Sequence, residues 1–122
     1  MKVTRVLHVS VNVEGVLDET RSFYEDVLGL GSKHRPEIPG IAGHWFAVGS
    51  AELHLVDAPA GRAGIQPSNH HYCVAVSDLD AAIAELDARG IEYLRGAQGD
   101  VVQIWILDPA GNVIELQQER QP

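Results

Sequence analysis

The sequence predicts an α+β fold built from two tandem βαβββ modules that form a mixed sheet. Two observations carry that reading. The order strand, helix, strand, strand, strand can be traced twice along the 122 residues. The two copies also open alike: His8-Val9-Ser10-Val11-Asn12-Val13 and His71-Tyr72-Cys73-Val74-Ala75-Val76 agree at the histidine and at both later valines of the apolar face. The second observation is the hairpin that closes the second copy. Pro109 suits the second position of a type I turn, Asp108 the first and Gly111 the fourth, so the extended runs 101–107 and 112–118 fold back on one another.

Each element has a local reason. Residues 3–13 alternate, with Val9, Val11 and Val13 on one face and His8, Ser10 and Asn12 on the other, which predicts a strand. A helix follows, with Asp18 as N-cap, Glu19 in the first turn, an apolar stripe of Phe23, Val27 and Leu28, and Gly29 as the stop. Segment 31–43 contains Gly31, Pro36, Pro39, Gly40 and Gly43 and is expected to be a short strand and then a loop. Strands 44–48 and 51–56 join at Gly49-Ser50, and 57–68, rich in Ala, Gly and Pro, reads as a linker. The second copy has its strand at 71–76 and a helix from Ser77 or Asp78. Leu79, Ala82, Ile83 and Leu86 stand at helical spacing there, Arg89 is in the last turn and Gly90 is the stop. Strands at 91–95, 101–107 and 112–118 complete it. The chain 1–122 is thus expected to be one domain, with module 1 at about 1–57, a linker at 58–68 and module 2 at about 69–118.

A chain of this length buries roughly two-thirds of its unfolded surface, enough for a core. Apolar content of 45% with 21% charge lies outside the disordered class. No apolar run approaches a membrane span, and residues 1–13 alternate where a secretory signal would be continuously apolar. With a single cysteine, Cys73, read as a small buried hydrophobe, the expectation is a cytoplasmic protein. The net charge of -8, with lysines only at Lys2 and Lys33, disfavours nucleic acid and anionic membrane as partners and suits a small cationic molecule.

The polar faces hold the candidate chemistry. His8 and His71 begin equivalent strands, and Glu115 lies on the last strand of the second copy with Val113 and Gln117 on its face. The equivalent strand of the first copy carries Glu52 and His54, two apart and so on one face. If both sheets curve and face each other, these residues line one cup. Two imidazoles and a carboxylate from three strands describe a facial triad for a divalent transition metal with positions open for substrate, and Glu52 or His54 would be a fourth ligand. His70 points away from His71 and is expected to be structural or exposed, and His34 and His44, in or beside the 31–43 loop, are expected at the surface, with ligation the alternative for His44. Trp45, Phe46, Tyr72 and Trp105 are expected in the core, although an aromatic at the mouth of a cup often contacts substrate.

Segments Leu7-His8-Val9-Ser10-Val11, Phe23-Tyr24-Glu25-Asp26-Val27-Leu28-Gly29-Leu30, Glu52-Leu53-His54-Leu55, 71–79 and 108–116 together resemble the vicinal oxygen chelate superfamily. That superfamily includes glyoxalase I, methylmalonyl-CoA epimerase, fosfomycin-resistance transferases, extradiol dioxygenases and bleomycin-resistance proteins. The pieces around Phe23-Tyr24, Leu28-Gly29 and Asp108-Pro109 are specific for the fold and poorly specific for the reaction. The resemblance implies a glyoxalase-like pairing of modules around a cup-shaped site, a small-molecule substrate and a homodimer. It implies metal positions at His8, His71 and Glu115, with a fourth at His54 or Glu52. His54 is favoured because relatives end this strand in a His-Leu pair. The ion would be Ni, Zn, Mn or Fe(II). The activity implied is that of a metal-dependent lyase or isomerase of glyoxalase type: a substrate chelates the ion through adjacent oxygens, the ion stabilises a developing enediolate, and Glu115 or Glu52 moves the proton. The alternative is a metal-free protein that sequesters a toxic molecule, as in bleomycin resistance. A dioxygenase or a fosfomycin-type transferase is the third reading. Two modules instead of four weaken the first of these, and scarce cations weaken the second, with Arg35 and Arg95 as possible anchors for a substrate carboxylate.

Overall fold

The computed structural model describes all residues except 1, 3, 62, 63, 69, 121 and 122. The chain divides into two compact units, residues 1–62 and 63–122. Each is a βαβββ module with one four-stranded sheet.

In the first unit β1 is His8–Asn12, α1 Leu17–Asp26, β2 Gly31–Lys33, β3 Gly43–Val48 and β4 Ala51–Val56. The sheet order is β1-β4-β3-β2, with β1 parallel to β4 and the remaining pairs antiparallel. α1 covers one face: Tyr24 is fully buried against Phe46, and Val13, Leu53 and Leu55 complete the core beneath it. The first strand is shorter than the alternation 3–13 suggests. It starts at His8, with 4–7 outside it and Val3 outside the described residues. The cause is its partner, since β4 begins at Ala51 and the bond from Glu52 N–H to Leu7 O is where the ladder begins. Asp18 is not the N-cap of α1 either. Val16 holds that position with no side-chain cap, and Asp18 and Glu19 lie in the first turn, where their charge favours the helix dipole. The helix ends at Asp26 with Val27 as its C-cap, so Val27 and Leu28 of the expected stripe lie beyond it, and Gly29, with φ of +66°, stands in the turn that follows, where Leu30 N–H reaches back to Tyr24 O.

In the second unit β5 is His71–Val76, α2 Leu79–Arg89, β6 Leu94–Gln98, β7 Val101–Leu107 and β8 Val113–Gln118. The order is β5-β8-β7-β6, again with a parallel first pair. Asp78 caps α2, accepting from Ala81 N–H at 3.0 Å, and Gly90 closes it at φ of +67°. Leu79 and Leu86 are buried from the helix, and Ile104, Ile106, Ile114 and Leu116 from the sheet. The strand expected at 91–95 lies instead at Leu94–Gln98. Its register is set by the Gly99-Asp100 turn, which pairs Gln98 with Val101, so pairing runs back from the turn and residues 91–93 remain a connection. The Asp108 hairpin forms as expected, with Gly111 N–H bonded to Asp108 O at 2.9 Å. The described residues between β4 and β5 hold no helix or strand. Among the described residues no helix is long and apolar enough to cross a membrane.

Candidate functional site

Each sheet has a helix-covered face and a second face, and the candidate residues lie on the second. In unit 1, β1 runs beside β4 with His8 opposite Glu52 and Ser10 opposite His54, while Trp45 of β3 lies opposite His54. Three rings therefore stack across three strands. Trp45 lies 3.9 Å from His54 with 3° between the planes, and His8 lies 4.2 Å from His54 with 15° between them. In the plane of its ring, His54 Nε2 is 2.9 Å from Glu52 Oε1. The other oxygen of Glu52 is ion-paired to Lys33 on β2. These two partners, His54 foremost, hold the Glu52 carboxyl below its ordinary range.

In unit 2 the register places Cys73 and Trp105 on either side of Glu115. Glu115 is 4% exposed on a sheet whose helix-covered face is already apolar, so a carboxylate there requires partners. It has them. Oε2 accepts from the amides of Gln103 and Gln117, and Oε1 lies 3.4 Å from His71 Nε2. Trp105 and His71 meet edge to face, with ring centroids 4.7 Å apart. Burial, with the carboxylate of Glu115 beside it, pushes the Cys73 thiol up to about 11. Cys73 is not the small buried hydrophobe expected: it lies exposed on the edge strand β5, and its raised pKa keeps the thiol neutral. Iodoacetamide labelling at pH 8 is expected to run on the order of 100-fold slower than for a thiol at its ordinary value. Labelling at the ordinary rate would show that sulfur does not face Glu115.

The two registers bear on the choice between Glu52 and His54. When His8 is matched with His71, Glu52 takes the place of Val113, His54 the place of Glu115, and Trp45 the place of Trp105. His54, not Glu52, is thus the repeat equivalent of Glu115.

Two donors bound to one ion at about 2.1 Å stand roughly 3.0 to 3.5 Å apart, and His71 Nε2 and Glu115 Oε1 meet that spacing. The donor chemistry of His8 and His54 suits the same ions, but their stacked rings confine their lone pairs to two nearly parallel planes. They meet at one ion only after a ring turns, and His8, exposed on an edge strand, is the one able to do so. Among the described residues no group of three His, Cys, Asp or Glu side chains is already drawn together around a metal position.

Residues 5–116 match the family model described as the Glyoxalase/Bleomycin resistance protein/Dioxygenase superfamily. The chain belongs to this superfamily. It is 31% identical over 95% of its length to "Glyoxylase I 4" of Arabidopsis thaliana, spanning 71% of that protein. It is 30% identical over 96% of its length to mitochondrial methylmalonyl-CoA epimerase of Mus musculus, spanning 74% of it. A glyoxalase family protein from Bacillus anthracis, of known structure, superposes with a TM-score of 0.84 at 28% identity over 98% of both chains. The α+β architecture of two βαβββ modules is that of the superfamily.

Several side chains of this superfamily member lie elsewhere than the pattern suggested. Of the aromatics expected in the core, Phe46 lies buried under α1 and Trp105 is buried beside His71, whereas Trp45, stacked on His54, and Tyr72 are only half-buried. His44 is not a surface residue. It lies in β3 on the helix side, half-buried, 2.8 Å from Ser32 Oγ and against Phe46, and burial pushes its pKa down. Arg35 is turned to its own loop, donating to Ile41 O, and Arg95 pairs with Ile104 on the face opposite Glu115. His34 and His70 are exposed. Lys33 and Gln103 were not among the expected site residues. Gln117 was placed on the face of Glu115 by alternation but given no role, although a carboxylate on a buried face needs donors beside it.

Proposed function

We propose that this superfamily member is a metal-dependent lyase or isomerase of glyoxalase type. His8, His54, His71 and Glu115, supplied within one chain or between the two chains of a homodimer, are the proposed ligands of a Ni, Zn, Mn or Fe(II) ion. The observation that carries this is the His71–Glu115 pair: an imidazole and a nearly buried carboxylate spaced 3.4 Å apart, as two ligands of one ion would be. Sequence similarity to proteins named for glyoxalase and epimerase activity supports the reaction class.

When bound, the ion supplies Lewis acidity toward adjacent oxygens of a small substrate. The chain supplies the proton carrier. Gln103 and Gln117 hold Oε2 of Glu115, so Oε1 is the oxygen proposed to meet the ion beside His71, and it would have to let go of the ion to take a proton from carbon and return it, with the anchored Oε2 keeping the carboxyl in place. Glu52 suits that task less well, because His54 and Lys33 occupy its oxygens and lower its basicity.

Metal-free sequestration has one observation in its favour: the stacked rings of Trp45, His54 and His8, beside Glu52, could receive a flat cationic molecule. Metal content separates the two readings. Protein purified without a histidine tag is expected to carry metal by elemental analysis and to melt lower after chelation. Near-zero metal, with no melting shift on adding Ni, Zn, Mn or Fe(II), leaves sequestration. Hemithioacetals, 2-substituted acyl thioesters and catechols are the substrates to screen on the metal-loaded protein.

A further inference from the structure

Resting on the metal reading, we infer that Glu52 is neither a ligand nor a base but the positioning residue of His54: it holds the Nε2 proton so that His54 offers Nδ1 to an ion. The argument begins with what a carboxylate can do. An ionised carboxylate only accepts hydrogen bonds, so at the 2.9 Å contact between Glu52 Oε1 and His54 Nε2 the imidazole must be the donor. Lys33 engages the second oxygen of Glu52 as an ion pair, so the group that meets His54 is a carboxylate. In its neutral form His54 then carries its one proton on Nε2, and the unprotonated nitrogen is Nδ1.

The rest of the ring's freedom is removed by packing. Trp45 lies flat against one face, which fixes the plane whether or not His8 turns away from the other face, and Glu52 fixes the rotation within that plane. His54 is nearly buried. A ring held in this way loses little freedom on binding an ion and cannot turn Nε2 toward it without breaking the Glu52 contact. Carboxylates that orient ligating histidines raise ligand basicity and metal affinity in this manner. Lys33 extends the arrangement by one residue, neutralising a charge that would otherwise stand beside the ion without serving as a ligand. The repeat supports the division of labour, since the position equivalent to Glu52 in the second unit is Val113, which has no ligating atom.

Long-range proton–nitrogen NMR spectra of metal-free protein with 15N-labelled histidine read the tautomer directly, and His54 is identified by its absence from the His54→Asn spectrum. At a pH where the spectrum shows a neutral ring, His54 is expected with its proton on Nε2. Glu52→Gln, whose amide oxygen still accepts, should keep that tautomer, and Glu52→Ala should give a mixture. A proton on Nδ1 in the unmodified protein, or an unchanged spectrum in Glu52→Ala, overturns the inference. Titration with Ni(II) gives the second arm. Glu52→Ala should weaken binding by about 10- to 100-fold, and Glu52→Gln should bind nearly as the parent does. Equal weakening in both variants would mean that the carboxylate itself touches the ion, and would also overturn it. If the parent chain binds no Ni(II), Zn(II), Mn(II) or Fe(II), the proposed function fails and the Nδ1 ligand assignment falls with it, whereas the Glu52-held tautomer is still decided by the metal-free spectra.

Discussion

His71→Ala is expected to lose most of the metal that the parent protein retains through purification, with affinity falling by more than about 100-fold, because even outer partners of a metal ligand are worth about 10- to 100-fold. His71 is the clearest single test of the site. Its side chain is 30% exposed, so truncation leaves no large cavity and the variant should fold. Glu115 loses the imidazole but keeps Gln103 and Gln117 on Oε2, so the buried carboxylate is not stranded. The adjacent His70→Ala, at an exposed position outside the candidate face, is the matched control and should keep the parent's metal content. Elemental analysis after dialysis, read beside the thermal melt, separates loss of the ion from loss of the fold. Unchanged occupancy in His71→Ala, with the melt intact, would mean that the ligands are misassigned.

How much of this was legible beforehand depends on the range of the interactions involved. Local signals carried the elements. The Gly90 stop, the Asp78 cap and the Asp108 turn are decided by residues within a few positions of one another, and all three form as the sequence reads. The start of β1 and the position of β6 did not follow from local pattern, because the reach of a strand is set by the ends of the strand it pairs with: Ala51 in one case and the Gly99-Asp100 turn in the other. The candidate site divides in the same way. Alternation placed Glu52 with His54, and Gln117 with Glu115, on common faces, as found. Which of Glu52 and His54 corresponds to Glu115 needed the cross-strand register. An apolar ring was a mixed guide to the core: Trp105 is buried as expected, while Trp45, on the same face as His54 and stacked on it, is only half-buried.

Asp108→Ala is expected to cost about 3 kcal/mol of stability, which in a chain of this size lowers Tm by roughly 10 °C. The side chain is 3% exposed and its oxygens are fully engaged within the turn. Oδ1 accepts from the backbone N–H of Ala110 at 2.9 Å and of Asn112 at 2.8 Å, and Oδ2 accepts from the Asn112 amide at 2.8 Å. Ala110 is fully buried, so its N–H has no water to turn to when the carboxylate is removed, and an orphaned buried donor is the expensive outcome. Asp108→Asn keeps an oxygen for both backbone donors and loses only the contact to the Asn112 amide, so about 1 kcal/mol is expected for it. The consequence extends to the candidate site. The turn fixes the register of β8 on β7, which sets Glu115 opposite Trp105, and a slip of one residue would carry Glu115 to the helix-covered face, where no amide waits for it. Asp108→Ala should therefore lose metal at temperatures below its own melting transition, as the hairpin loosens before the rest of the module unfolds, while Asp108→Asn should keep it. Denaturant melts of the two variants, with metal content followed across the transition, test this. Equal and small losses of stability in both would show that Asp108 does not hold the turn.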